Sequence, residues 1–425
     1  MRILIIHQNF PGQFRALARN LANDPNVSLA VIGKQGCPGL PGMRLMSYAI
    51  ERTPGASTHH YARSFESGIM HGQAVARLLL QMASEGFVPD VVLGHPGWGE
   101  TLFVKDIFPR ARLVHFCEFY YHARGADAGF DPEFPLSLDD AARIRTRNAL
   151  HLMNLEHCDA AVAPTAWQKQ LHPQSYQDKI AVAHEGIDTE FMQADPLASF
   201  TLPNGKILRA GDPVVTYVAR NLEPYRGFHS FMRALPQLLA RHPDCEVVIV
   251  GGDGVSYGSK PRGAANWREK MLGELNLRSE RVHFLGKIPY DAYRSLLQVS
   301  AAHVYLTYPF VLSWSMLEAM ACGCTLVASD TAPVREVVRD GENGWLVDFF
   351  DANAIAGRVA SVLEDPGAMD ALRIRAGQFV HAHFSLQDGV RRYRMLLGLD
   401  ASHDRGRGDG NSVRNTARFN TIKQS

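Results

Sequence analysis

The sequence predicts an α/β protein made of two doubly wound, Rossmann-like domains facing each other across a cleft. Three observations predict it. The chain has 425 residues, more than one ordinary hydrophobic core accommodates. Short apolar runs alternate with amphipathic helical patterns, and the short runs are continuously apolar, as strands buried on both faces of a parallel sheet are. The alternation stops once, in the polar stretch "TEFMQADPLASFTLPNGKILRAGD", and then restarts.

In the first half "RILIIH" is a strand, "QNFPGQ" a Gly/Pro turn and "FRALARNLAND" a helix. "VSLAVIG" reads as a strand, "SGIMHGQAVARLLLQMASEG" as a helix and "PDVVLGH" as a buried strand. "TLFVKDIFP" and "ARLVHFCEF" continue the alternation, and "ARIRTRNALHLMNLEHC" is a long helix before "DAAVAP" and "KIAVAHEGID". In the second half the strands "VVTYVAR", "EVVIVGG", "RVHFLG", "AHVYLTYP", "TLVAS" and "GWLVD" alternate with helices over 227–241, 266–276, 290–299, 313–322 and 351–364. The expected divisions are residues 1–192, residues 193–382, a C-terminal helix over 383–400 placed to cross back to the first domain, and a tail, 401–425. The tail is rich in Gly, Arg, Asn and Ser and poor in apolar residues, so disorder is expected there.

Composition excludes several classes. A net charge of +1 with no polybasic block in the folded part gives no nucleic-acid surface. Six scattered cysteines form no CxxC, and Cys322 and Cys324 are expected to pack a helix end. There is no leader pattern at the N-terminus and no apolar run approaching the ~20 residues of a bilayer span. A cytoplasmic protein, with membrane contact at most peripheral at the inner face, is the expectation.

Ligands of doubly wound sheets bind beyond the carboxyl ends of the strands, here the interdomain cleft. One stretch at such an end, "YPFVLSWSMLEAMACGC", holds a single acid, Glu318, among apolar and small residues. A buried carboxylate needs a partner. Either the protein supplies it, for instance in a capping box with Ser315 as N-cap and Glu318 three residues on, or a ligand does.

These residues also carry a family resemblance. The order of that stretch, followed by "TLVAS", "PVRE" and "DGENGWLV", resembles the nucleotide-sugar domain of retaining glycosyltransferases of family 4, whose two-domain architecture is called GT-B. "HEGIDTEF", "VARNLEPYRGFHSFMRAL", "VIVGGDG", "RVHFLGKIP" and the N-terminal "HQNFPGQFRALA" resemble further motifs of the same family in the same order, over roughly residues 1–395.

The resemblance implies a nucleoside-diphosphate sugar as co-substrate, no metal cofactor, and a glycan or lipid-linked acceptor. It places Glu318 at the second Glu of the family's E-x7-E signature, where a carboxylate accepts from two ribose hydroxyls. Ser313, Trp314 and Ser315 then form a helix start that offers N–H groups to the diphosphate, and Gly252 lies in the loop under the nucleotide. The first Glu of the signature falls on Phe310, a departure. Phe310 is either a specificity device for the donor sugar or an inward core residue.

Arg220 and Arg226 match the family's Arg and Lys pair, Arg226 one residue further on. Two cations there clamp a departing diphosphate; singly, each reads as a solvated surface arginine. On the first domain Gly12 permits close backbone approach or is a plain turn after Pro11. His95 ends a strand beside a glycine-rich loop and is expected to face the cleft. Glu118 takes the position of the family's sugar-contacting His, ahead of His115 and His122.

The reading the resemblance and the residues support is a retaining, metal-independent glycosyltransferase. One competing class is a catalytically silent sugar-nucleotide-binding protein. Another is a hydrolase or epimerase using Glu118 or Glu100. No D-x-D, Walker A or G-x-G-x-x-G sequence occurs. Residues 257–266 form a Gly- and Lys/Arg-rich insertion and a candidate lid.

Overall fold

The computed structural model of the protein describes residues 1–400; the tail expected to be disordered, 401–425, lies outside the described residues. The first sheet has seven strands: β1 (Arg2–Ile6), β2 (Ser28–Lys34), β3 (Leu45–Tyr48), β4 (Val91–Gly94), β5 (Arg112–Phe116), β6 (Ala160–Ala163) and β7 (Ile180–Val182). All are parallel, in the order β3-β2-β1-β4-β5-β6-β7. A short antiparallel hairpin, β8 (Ser199–Thr201) and β9 (Ile207–Arg209), precedes the second sheet.

That sheet comprises β10 (Val214–Asn221), β11 (Glu246–Gly252), β12 (Val282–Gly286), β13 (Ala302–Tyr305), β14 (Thr325–Ser329) and β15 (Trp345–Val347). It is parallel too, in the order β12-β11-β10-β13-β14-β15. The expected α/β class and the two doubly wound domains are therefore present. Strand order reverses between β1 and β4 and between β10 and β13, and these two switch points place the ligand crevices. The continuous apolar runs behave as double-sided burial requires: Ile3 to Ile6 and Val247 to Ile249 are fully buried.

"TLFVKDIFP" continues the alternation as a short helix, Val104–Ile107, before the strand β5. Two details differ from expectation. The edge strand β3 has no apolar run to announce it. The polar stretch where the alternation stops forms the β8–β9 hairpin, whose Leu202 and Leu208 pack against Val214, Val248 and Val250 of the second domain.

The domains are joined in several places. The chain crosses back through Ser385, where Leu386 N–H donates to Ile187 O at 2.8 Å and Ile187 N–H to Phe384 O at 2.8 Å. A Cβ on Gly186, at φ +83°, would lie 2.5 Å from Ser385 O, and one on Gly389 would lie 2.3 Å from Glu185 O. Only glycines let these backbones cross. The helix Leu386–Leu396 then lays Tyr393 into the first domain's core with Ile3, Ile5 and Phe14.

The segment 117–137, which follows β5, docks on the second domain. Asp127 accepts from the Tyr225 hydroxyl at 2.9 Å, Asp131 accepts from His229 and Tyr308, and Glu133 pairs with Arg233. Beyond β14, the Glu336 carboxylate accepts from the N–H groups of Ala166 and Trp167 at 2.6 and 2.8 Å.

Candidate active site

The second domain contributes the ends of β10 and β13. After β10 the chain makes a 3-10 turn, Pro224–Arg226, closed by Gly227 at φ +69°. Arg226 is only 8% exposed. Its Nη1 donates to Val311 O at 2.8 Å, Thr307 Oγ1 at 2.9 Å and the Tyr305 hydroxyl at 3.4 Å. Arg226 is thus built into the wall, tying β10 to the loop after β13, instead of reaching from the surface. Arg220, by contrast, is exposed, and among the described residues its side chain has no hydrogen-bonding or ionic partner.

The loop after β13 leads into the helix Trp314–Ala321, whose N-cap is Ser313 and whose first turn carries no acid. Ser313 Oγ accepts from Ser315 N–H at 3.4 Å and from the Ser315 hydroxyl at 3.0 Å. The capping box with Ser315 as N-cap is therefore overturned, because the helix begins earlier and Glu318 lies beyond the capping position. The protein itself partners Glu318: its oxygens accept from the Tyr290 hydroxyl at 2.7 Å and the Tyr293 hydroxyl at 2.8 Å. Glu318 is 5% exposed. Burial raises its pKa, and the two phenols pull it back in part. A carboxylate has about four lone-pair positions, so two tyrosines leave acceptor capacity for a ligand's hydroxyls. At the helix start Trp314 donates its indole N–H to Glu185, in the interdomain connection, at 2.8 Å.

Phe310 is 7% exposed and sits in an aromatic cluster that spans both domains. Its ring centroid is 4.7 Å from Phe119, 4.8 Å from Tyr257 and 5.6 Å from Tyr225. Of the two expectations for Phe310, this burial fits the inward core position. Gly252 accepts at its carbonyl from Leu222 N–H at 2.9 Å, and a Cβ there would lie 2.7 Å from Asn221 Oδ1. Close packing on Asn221 thus accounts for this glycine before any ligand is considered.

The first domain contributes the ends of β1, β4 and β5. Gly12 has φ +47°, and a Cβ there would lie 2.4 Å from His7 Cε1, so it is more than a plain turn residue. His7 Nδ1 accepts from Asn9 N–H at 3.1 Å, which leaves Nε2–H to donate to Gln13 Oε1 at 2.9 Å. Gln13 Nε2 donates to Glu118 Oε1 at 3.0 Å. His95 Nδ1 accepts from Gly97 N–H at 3.1 Å, so its Nε2–H donates to Glu118 Oε2 at 3.3 Å. Burial pushes Glu118 up, but the His95 and Gln13 bonds outweigh it and hold the carboxyl below its ordinary value. His7, driven down to about 3 by burial and by His95, stays neutral. The result is one ionised carboxylate held by His95 and the Gln13 amide, with the neutral His7 imidazole bracing Gln13 from behind.

Sequence reasoning found Gly12, His95 and Glu118 and missed His7 and Gln13, which flank Gly12 in "HQNFPGQ". His115 lies buried inside β5 with neither ring nitrogen partnered, and His122 pairs with Leu171 O at 2.7 Å. Neither faces the network. Glu100 is buried against Tyr48 of the edge strand β3, at 2.6 Å, leaving Glu118 as the carboxylate at the switch point.

Among the described residues one group brings three metal-ligating atoms together: Asp131, Glu133 and His229. Its acids are already engaged by His229, Tyr308 and Arg233, so it serves as an interdomain clasp. Cys322 and Cys324 are free and buried, with burial raising both thiols.

Two family profiles match this chain: "Glycosyl transferase family 4 group" over residues 25–192 and "Glycosyl transferases group 1" over residues 202–379. Together they account for both domains. The chain belongs to family 4 of the glycosyltransferases. Curated relatives of this chain include a phosphatidyl-myo-inositol mannosyltransferase of Mycolicibacterium smegmatis, 32% identical over 40% of this chain and 41% of the relative. A second, from the same organism, is a GDP-mannose-dependent alpha-(1-6)-phosphatidylinositol monomannoside mannosyltransferase, 32% identical over 44% of this chain and 48% of the relative. The chain matches under half the length of these two relatives.

Among solved structures it is similar to Anabaena HepE in complex with UDP-glucose, with TM-score 0.66 and 16% identity over 94% of this chain and 99% of that one. It is also similar to sucrose-phosphate synthase of Thermosynechococcus elongatus, with TM-score 0.67 and 20% identity over 94% and 99%. These likenesses show the GT-B fold. No helix among the described residues is long and apolar enough to cross a membrane.

Proposed function

We propose that this protein is a retaining glycosyltransferase that moves a sugar from a nucleoside-diphosphate sugar to an acceptor hydroxyl without a metal ion. The observation that carries this is the bond from Arg226 Nη1 to Val311 O, 2.8 Å. It fixes a guanidinium beside the loop that ends at the Ser313 N-cap, so a cation and a helix N-terminus are held together at one switch point. Both favour the negative charge of a leaving diphosphate. Arg220 adds an exposed cation at the end of the same strand. With these cations in place a metal bridge is dispensable.

In the step proposed, the bond from the sugar's anomeric carbon to the diphosphate oxygen breaks and its electron pair stays on the phosphate. The acceptor oxygen then bonds to the anomeric carbon on the same face and passes its proton to that phosphate oxygen. No protein nucleophile is required. Glu318 holds the ribose, and Glu118 with Gln13 faces the sugar and acceptor from the first domain. Both curated relatives are named as mannosyltransferases of phosphatidylinositol derivatives, the second of them as GDP-mannose-dependent, and HepE was crystallised with UDP-glucose. They motivate a UDP- or GDP-linked hexose as donor and a polyol or lipid-linked acceptor, with peripheral contact at the cytoplasmic membrane face.

A silent sugar-nucleotide-binding protein is favoured by one observation, the buried Phe310 in place of a sugar-binding carboxylate. Calorimetric titration of UDP and GDP tests the site. Glu318→Ala is expected to weaken the preferred nucleotide at least tenfold in a folded protein; unchanged affinity with only a lowered melting temperature contradicts the assignment. Turnover of donor by wild type separates enzyme from silent binder.

A further inference from the structure

Glu223 follows β10, is fully buried, and touches no cation. Its carboxylate is instead spent on one loop: Oε1 accepts from Ser256 N–H at 3.0 Å, and Oε2 accepts from Tyr257 N–H at 3.1 Å and Gly258 N–H at 2.9 Å. Further bonds brace the same loop. Asn221 Nδ2 donates to Ser256 Oγ at 2.7 Å, and the Trp267 indole donates to Ser259 O at 2.9 Å. The insertion expected to be a lid is therefore pinned at its start, and what it pins is Tyr257. A buried carboxylate saturated by three backbone N–H donors is a costly way to hold a surface loop. Such an arrangement makes sense where the position of the side chain it carries matters.

Tyr257 is 38% exposed, in contrast with the buried Phe310 and Arg226 beside it. Its ring stands edge-on to Phe310, centroids 4.8 Å apart at 61°, with the Arg226 guanidinium 5.4 Å from its centroid. Phe310, where the family's sugar-binding carboxylate is missing, is thus a buried platform, and Tyr257 is the polar-tipped side chain resting on it. We infer that Tyr257 binds the glycosyl group of the donor through its hydroxyl, taking over the place left by the absent carboxylate, and that Glu223 is the residue that positions it. This rests on the donor-site assignment above, because Arg226 and the helix start must hold the diphosphate for the sugar to arrive at Tyr257. The ligand recognised is the hexosyl moiety of a nucleoside-diphosphate sugar, as distinct from the nucleotide.

The distinguishing experiment is calorimetric titration of wild type, Tyr257→Phe, Glu223→Gln and Glu318→Ala with UDP, UDP-glucose, GDP and GDP-mannose. Losing one neutral hydrogen bond lowers affinity roughly five- to tenfold. Tyr257→Phe should show that loss for the preferred sugar nucleotide while the matching free nucleotide binds as to wild type. Glu223→Gln, which leaves the three N–H donors one oxygen, should show the same split, and a merely structural role would weaken both ligands alike. Tyr257→Phe with both ligands unchanged, or both weakened equally, overturns the inference while a large Glu318→Ala effect keeps the donor site. A Glu318→Ala variant that binds every nucleotide as wild type does overturns the donor site and this inference with it.

Discussion

Asp131 and His229 meet across the domain interface, Oδ2 to Nε2 at 2.8 Å, with both side chains about 1% exposed. The same oxygen accepts from the Tyr308 hydroxyl at 2.6 Å, and Oδ1 accepts from Glu133 N–H at 2.9 Å. Burial pushes this carboxyl up, but the His229 and Tyr308 bonds outweigh it and hold it below its ordinary value. The relationship makes the segment 117–137 a strap between the domains. Asp131→Ala leaves two buried donors unpartnered and should cost roughly 2–4 kcal/mol of stability in urea unfolding. Asp131→Asn, which keeps one acceptor oxygen, should cost less. An unchanged midpoint for both variants contradicts the clasp.

Buried neutral histidines set the pH response. Burial, the largest cause in each, takes His7, His115, His151 and His303 down to about 3 and His172 to about 4. Unfolded, these rings protonate below about 6.5; folded, they do so only near 3 to 4. Their contribution is therefore fully present above pH 6.5 and lost as pH falls toward 3. Glu100 and Glu318, both raised by burial, release protons on unfolding and offset part of this. Unfolding at pH 5 should take up about three to five protons per chain, read from the pH dependence of the urea midpoint. A midpoint flat from pH 7 to pH 5 contradicts it.

Glu118 receives Gln13 and His95 and stays ionised at the carboxyl end of β5. Glu118→Gln should lower kcat by about 10² or more while free UDP or GDP binds within twofold of wild type. The amide cannot accept from both Gln13 and His95. A rise in KM with kcat unchanged assigns Glu118 to binding alone.

Arg226 acts from a fixed position. Arg226→Ala should reduce kcat by about 10² to 10³, and Arg226→Lys should fall between Ala and wild type. Lysine restores the cation, but its ammonium ends one bond short of Nη1 and lacks the planar fork that reaches Val311 O, Thr307 Oγ1 and the Tyr305 hydroxyl. Equal activity of Lys and wild type contradicts the positioning role.

The architecture was legible because buried parallel strands write themselves as continuous apolar runs, as "RILII" and "EVVIV" do. The edge strand β3 and the β8–β9 hairpin were not, since one-sided short strands carry little periodic signal. At the site, Glu318 was conspicuous as a lone acid in an apolar stretch, yet its partners Tyr290 and Tyr293 sit on a separate helix and only the fold brings them there. Arg226 was found but not its burial, because a Gly-closed turn folds it inward. Phe310 read equally as a donor-sugar contact or an inward core residue, because its packing on Phe119 of the other domain is a long-range pairing that no local pattern encodes.

The central claim is retention without metal. The direct measurement follows the anomeric proton by NMR while wild type, in EDTA, acts on UDP-glucose or GDP-mannose with phosphatidylinositol or myo-inositol as acceptor. Transfer is expected in EDTA, to a product whose anomeric configuration matches the donor's. A β-linked product from the α-linked UDP-glucose or GDP-mannose, or activity abolished by EDTA and restored by Mg²⁺ or Mn²⁺, contradicts it.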